Sequence, residues 1–501
     1  MKKVLYIILP LLFLVELFCL KGIPVVKETF PIEKIEAVLF TLTQNVDGSQ
    51  DFAITLIEGI LKNALIIFVI TALIVAAILL TAKQLRNRGI LKTKKYPTYL
   101  QVSTSITVLT FVFLIYNIFD QLPVINYYLA WEDVNAVPEH SEFYQREYVN
   151  PDSVEIKFTK KQNLILIFLE SMEYNYQDSA HGGNLPVNLI PEITEYIQNE
   201  QSFIPGGSPA YGMGWTMADA VAKTCGIPLT FPPSISNSFT PIKEFLPGVT
   251  CLTDILTKEG YNLIVTKGAN LKFSGMDDFL KTHSNPQAYG LLNYVKDPRV
   301  KENTISEWGV RDSLHYELAK EHISNLTKQD KPWGLWMFTV DTHTPYGFLD
   351  PTCSKPDSIP ESKQFPYVVS CASRQVDNFI KWAKTQEWFK NTTIAVMGDH
   401  ASMAEPEIVG ITKKNATHYW LDFFINSAKD EPQQNRIFTS LDFFPTILES
   451  IGAEIPNGAL GLGRSLYSTN PTLLEKIGQD SLDNALKKRS SEYNYFLYGT
   501  H

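Results

Sequence analysis

The chain is short of cysteine: five in 501 residues, with no spacing that fits a strong zinc motif. It has no internal repeat and no low-complexity tract, so solenoid and linker-like architectures are excluded. It lacks a positive balance. Lys and Arg number 44 against 53 Asp and Glu, a formal net charge of -9, which argues against nucleic acid as a partner of the whole protein. Nor is it poor in apolar residues; 45% apolar and 12% aromatic content excludes a disordered chain. A last absence concerns the first apolar stretch, "VLYIILPLLFLVELFCL" at 4–20. The "CLKGIPVVKE" behind it offers no small-residue cleavage site, and Leu-Phe precedes Cys19. A retained anchor is therefore expected.

Two further apolar stretches follow, at 63–82 and 99–122. With the first, at about 4–21, they make three expected membrane spans in residues 1–122, each long enough for about 30 Å of hydrocarbon. The loop between the second and third carries Lys83, Arg86, Arg88, Lys92, Lys94 and Lys95 and no acid. Lys2 and Lys3 flank the first. Both basic segments belong in the cytoplasm, so everything after about residue 123 is expected outside. Residues 123–160 read as a connector, 161–470 as a globular domain and 471–501 as a polar, helical tail that docks by default. Four cysteines, Cys225, Cys251, Cys353 and Cys371, fall outside, an even number suited to two disulfides. The sequence leaves the pairing open; neighbours in sequence, Cys225–Cys251 and Cys353–Cys371, are the expected pairs.

From about residue 160, short apolar runs alternate with helical stretches such as 247–260 and 374–390. The runs are "NLILIFLE" (163–170), "YNLIVTKG" (261–268), "WGLWMFTVDTH" (333–343), "TTIAVMGDH" (392–400) and "YWLDFFIN" (419–426). Continuous apolar runs of this length predict strands covered on both faces, as in an α/β domain with a mostly parallel central sheet. Glu170, Asp341, His343, Asp399 and His400 stand just past the ends of these runs, on the edge where open α/β sheets bind ligands. One acid there is a helix cap; several strand ends carrying Glu, Asp-x-His and Gly-Asp-His are a site.

Glu170, Asp399 and His400 together suit a divalent metal that takes mixed nitrogen and oxygen ligands, and the hydroxyl of Thr216 is a candidate fourth ligand. Thr216 follows a glycine turn, "GMGWT", and opens a small-residue helix. A metal there would lower the pKa of the hydroxyl and make it a nucleophile. The helix start would add N–H groups suited to a phosphate.

In chain order, "FLESME", "GMGWTMADAVAKTCGIPL", "CLTDILTKEGYN", "KGANLKFSGMDDFL", "WGVRDS", "DTHTPYG", "MGDHASM" and "GLGRSL" resemble the membrane-bound phosphoglycerol transferases of the alkaline phosphatase/sulfatase superfamily. The likeness is to those that modify periplasmic glucans; the chain is also similar to lipoteichoic acid synthases. It covers about 160 to 470. The resemblance implies an N-terminal transmembrane region and an extracytoplasmic sulfatase-like domain at the bacterial inner membrane. It implies Glu170, Thr216, Asp399 and His400 as ligands of one divalent ion, Mn²⁺ foremost, with Zn²⁺ or Mg²⁺ as alternatives. It implies Thr216 as the nucleophile, and His343 and His418 as catalytic groups on the phosphate. Asn270, Lys272, Trp308 and Arg311 are the implied substrate contacts, although the synthases' Trp-x-Arg pattern is absent around Asn270. The implied donor is phosphatidylglycerol and the acceptor a glycan. The rival is a phosphoethanolamine transferase acting on lipid A or a glycan. A sulfatase proper would carry Cys or Ser in a C/S-x-P/A-x-R frame, and Thr216 has no such frame.

Overall fold

A computed structural model describes residues 2–29, 50–88, 99–121, 141–202, 207–230, 244–344, 346–402, 420–488 and 490–499. The chain divides into two compact units: the helices before residue 122, and the residues from 141 onward.

In the first unit the three apolar stretches are helices α1 (Lys2–Thr29), α2 (Gln50–Asn87) and α3 (Tyr99–Gln121). Two segments, Gly59–Leu85 and Gln101–Asp120, are long and apolar enough to cross a membrane. The α1 helix carries Pro10 and Pro24 within it and packs on both of the others around Phe13, Leu17 and Ala64. Leucines elsewhere on these helices point outward; Leu73 is 65% and Leu109 69% exposed.

The second unit is a seven-stranded mixed sheet between helices. In chain order its strands are β1 (Asn163–Leu169), β2 (Gln201–Ser202), β3 (Asn262–Lys267), β4 (Gln287–Tyr289), β5 (Trp333–Phe338), β6 (Thr392–Gly398) and β7 (Asp422–Ile425). In space the order is β2-β7-β6-β1-β5-β3-β4. The five strands from β6 to β4 run parallel, which places their C-terminal ends on one edge. Every residue of β1, β5 and β6 is buried, as uninterrupted apolar runs require when both faces are covered. One cover is helix Phe365–Lys384, whose Phe365, Val369 and Phe379 pack in one cluster with Ile165, Ile167 and Leu169.

Two expectations are corrected. The run at 419–426 does form a strand, but β7 lies antiparallel to β6, with Ile394 opposite Ile425. An apolar run carries no direction. The helix expected at 374–390 begins at Phe365, where Pro366 occupies the first turn, and ends at Lys384. Both disulfides are present as expected, Cys225–Cys251 and Cys353–Cys371. Residues 143–158 pack on this unit: Tyr144 meets Tyr493, and Lys157–Phe158 pairs with Ala453–Glu454.

Candidate active site

Three strand ends build the centre. Glu170 follows β1, and its N–H donates to the Thr339 hydroxyl just past β5 at 2.9 Å. Thr342 donates its hydroxyl to the Glu170 carbonyl, so the β5 loop holds the Glu170 backbone from both sides. Next comes Ser171 at φ 51°, a left-handed conformation unusual for a side-chain-bearing residue. In that turn its N–H donates to Asp399 Oδ1 at 2.8 Å and its hydroxyl to Glu170 Oε1 at 2.8 Å. The strained turn thereby couples the two carboxylates. Asp399 and His400 follow β6 directly, and His400 Nε2 lies 3.3 Å from Glu170 and 3.6 Å from Asp399.

Thr216 is the first residue of helix α4 (Thr216–Cys225). As a helix start it is no N-cap; Trp215 holds that place without a side-chain cap bond. The Thr216 hydroxyl instead donates to Glu170 Oε2 at 3.3 Å and lies 3.4 Å from His400 Nε2. Gly212, at φ 77°, makes the approach possible. A Cβ there would come within 2.7 Å of Thr230 and 2.9 Å of Pro228, so only glycine lets the incoming strand pass the outgoing one.

Glu170, Asp399 and His400 are all buried, with ligand atoms within 4.8 Å of one another. Among the described residues, no lysine or arginine ion-pairs with either carboxylate. His400 donates from Nδ1 to the Ala401 carbonyl at 2.8 Å, which leaves the Nε2 lone pair facing the carboxylates. Burial, and then the charge of Glu170, push the Asp399 carboxyl up to about 7. Two buried carboxylates, an imidazole lone pair and a hydroxyl, with no lysine or arginine paired directly to them among the described residues, fit a divalent metal ion. A second group, Cys251, Asp254 and His283, is close-set as well, but Cys251 is committed to its disulfide and supplies no thiolate.

Other expected residues surround this centre. His343 stacks on Trp308 with ring centroids 3.7 Å apart and donates Nδ1–H to the Thr344 carbonyl at 3.0 Å. Burial lowers its pKa against the pull of Glu170, so its imidazole is neutral at pH 7. Trp308 also meets Phe273 edge-on. Backbone contact fixes this arrangement: Val310 N–H donates to the Gly268 carbonyl at 3.0 Å, and a Cβ on Gly309 would strike that same carbonyl. Arg311 pairs with Asp341 at 3.5 Å and lies over Phe348. Asn270 is buried and accepts the Lys272 N–H, whereas Lys272 itself is exposed on the same loop. His418 lies outside the described residues.

One residue escaped the sequence reading. Lys267, the last of β3, is buried over Phe273 and near enough to Glu170 and Asp399 for their charges to act on it. Burial still dominates and brings its ammonium down to about 8. Its signal was a lysine closing an apolar strand at the same sheet edge as the acids.

The family model described as Sulfatase matches residues 162–453, more than half of the chain and the span that holds every member of this centre. The chain belongs to the sulfatase family. This sulfatase-family chain is 34% identical over 316 residues to a phosphoglycerol transferase I of Escherichia fergusonii, 62% of this chain and 39% of the relative. The matched part is thus about two fifths of that relative's length. Among solved structures, one of the alkaline phosphatase superfamily from Vibrio parahaemolyticus aligns with TM-score 0.49 and 21% identity, over 65% of this chain and 75% of the other. The lipoteichoic acid synthase LtaP of Listeria monocytogenes aligns with TM-score 0.48 and 17% identity, over 63% and 78%.

Proposed function

We propose that this protein transfers phosphoglycerol from phosphatidylglycerol to a hydroxyl of a periplasmic glycan, a glucan, through a covalent intermediate on Thr216. The observation that carries the reading is the Thr216 hydroxyl at a helix start, 3.3 Å from Glu170 and 3.4 Å from His400. The relative named phosphoglycerol transferase I supports the headgroup. The missing C/S-x-P/A-x-R frame argues against sulfate ester hydrolysis.

In this reading Glu170, Thr216, Asp399 and His400 hold one divalent ion, Mn²⁺ foremost. Bound there, such an ion supplies Lewis acidity that lowers the pKa of the hydroxyl. Thr216 Oγ1 forms a bond to phosphorus while the bond from phosphorus to the diacylglycerol oxygen breaks. The proton lost by Thr216 ends on diacylglycerol, with His343 or His418 as its carrier. The start of α4 and the Lys267 ammonium offset the charge on the phosphoryl oxygens. A sugar hydroxyl then attacks the same phosphorus, and Thr216 leaves and regains a proton. Asn270, Lys272, Trp308 and Arg311 contact the headgroup. The donor lives in a bilayer, which gives the apolar helices their purpose. Three spans with a cytoplasmic N-terminus put the catalytic domain in the periplasm.

The test is mass spectrometry of the peptide holding Thr216 after incubation with Mn²⁺ and phosphatidylglycerol, without acceptor. A phosphoglycerol adduct is expected, absent in Thr216→Ala. An adduct from phosphatidylethanolamine alone would keep the nucleophile and change the donor. No adduct from either lipid on metal-loaded protein would sink the reading.

A further inference from the structure

The family match ends at residue 453, yet the chain continues for some fifty residues, and from Gln479 onward these hold one segment by its main chain. That segment is 207–230, the one that carries Thr216. Its incoming arm is gripped by helix Gln479–Lys487. Tyr211 N–H donates to Asp483 Oδ1 at 2.8 Å, and Gln479 Nε2 donates to the Pro209 carbonyl at 3.0 Å and to Asp483 Oδ2 at 3.0 Å. Lys487 lies over the Tyr211 ring. The outgoing arm is gripped by helix Ser491–Tyr498. Thr230 N–H donates to the Tyr493 hydroxyl at 2.7 Å, and that hydroxyl donates onward to the carbonyl of Pro228, 2.9 Å away, or Thr230, 3.0 Å away. The two arms are themselves tied, Leu229 N–H to the Gly212 carbonyl at 2.9 Å.

The grip is anchored. Leu482 and Leu486 are buried, Tyr144 donates its hydroxyl to the Leu486 carbonyl at 3.0 Å, and the Tyr493 ring packs on Tyr144 and Phe496. These bonds run from side chains to backbone, so they fix where the segment's main chain lies, not merely what covers it.

We propose that the C-terminal tail is a clamp on the nucleophile segment, with Asp483 and Tyr493 as the positioning residues that hold Thr216 in register with Glu170 and His400. The inference rests on Thr216 as the nucleophile. A shift of about 1 Å at a reacting atom costs on the order of 100-fold in rate. A main chain held on both sides of the helix start suppresses that shift.

The test uses the full chain with Asp483→Ala, Asp483→Asn and Tyr493→Phe, and reads two quantities. The first is hydrogen exchange of the amides in 209–230, above all Tyr211 and Thr230. Asp483→Ala should release the Tyr211 amide and Tyr493→Phe the Thr230 amide. The second is the split between kcat and donor KM. Each of these two should lower kcat about 10- to 100-fold while KM stays within about twofold. Asp483→Asn retains an acceptor for Tyr211 N–H and should recover most of the kcat. If exchange in 209–230 stays as in the parent, or quickens while kcat holds, the clamp is overturned, whatever the adduct test returns. It is equally overturned if Asp483→Asn is as impaired as Asp483→Ala.

Discussion

Two buried clusters of charge flank the end of β6, and α4 reaches into both. On one side stand Glu170, Asp399 and His400, with the Thr216 hydroxyl. On the other, Lys223 of α4 pairs with Asp219 at 2.9 Å and Asp422 at 3.5 Å. Both clusters hold two carboxylates, and both are buried. They differ in the third member. Burial would lower the Lys223 pKa, but Asp219 and Asp422 outweigh it and raise it, so this cluster carries its own cation. His400 fills that place in the other, and among the described residues no lysine or arginine pairs directly with its two carboxylates, an arrangement that fits a bound ion. Lys223 also donates to the Gly398 carbonyl at 2.5 Å, immediately before Asp399. The self-neutralised cluster therefore pins α4 to the strand that presents the unneutralised one.

The largest expected effect comes from the cluster of Glu170, Asp399 and His400. Chelation of the divalent ion should abolish transfer, and Mn²⁺ should restore it. Asp399→Asn should cost on the order of 10³-fold in kcat and weaken Mn²⁺ binding by titration calorimetry. Calorimetry that finds no Mn²⁺ uptake by the parent protein would break the comparison at its root.

Next is the self-neutralised cluster. Lys223→Met leaves Asp219 and Asp422 buried without a cation, which should destabilise the domain by about 3–5 kcal/mol. Adding Asp422→Asn removes one of the two stranded acids and its pull against Asp219, so the double variant should regain part of that loss. Thermal midpoints of the parent, single and double variants read both effects. A Lys223→Met protein as stable as its parent would show that the pairing holds nothing together.

How far the sequence disclosed this can be argued from the same residues. Glu170, Asp399 and His400 were legible because uninterrupted apolar runs mark strands, and polar residues directly after them mark the sheet edge. Thr216 was legible through its glycines. Strand direction was not, since β7 reads alike both ways, and β2 and β4 are too short to give a period. Lys223 looked like an ordinary helix lysine. Its partner Asp422 begins an antiparallel strand, a placement set by long-range pairing and not by local pattern. The tail's grip was hidden for a related reason. It depends on Asp483 and Tyr493 meeting main-chain atoms more than 260 residues away in sequence, and such bonds leave no period to read.

The smallest effect is a pH dependence, and its sign follows from Asp422. Burial lifts this carboxyl to about 7, against the pull of Lys223 and with the help of Asp219. In the unfolded chain an aspartate titrates near 3.9. Between about pH 4 and pH 7 the folded protein keeps a proton on Asp422 that the unfolded chain releases, so the Asp422 contribution to stability falls as pH rises through that window and levels off above it. Asp442, pushed up to about 7 chiefly by burial, adds a slope of the same sign. Asp422→Asn never ionises and removes only its own share. In the same detergent and metal concentration, the thermal midpoint at pH 8 relative to that at pH 5 should therefore stand higher in Asp422→Asn than in the parent. Equal differences would mean that Lys223 keeps Asp422 charged across the whole window. The second cluster would then hold two charged carboxylates around one cation, and the contrast with the first would rest on the lysine alone.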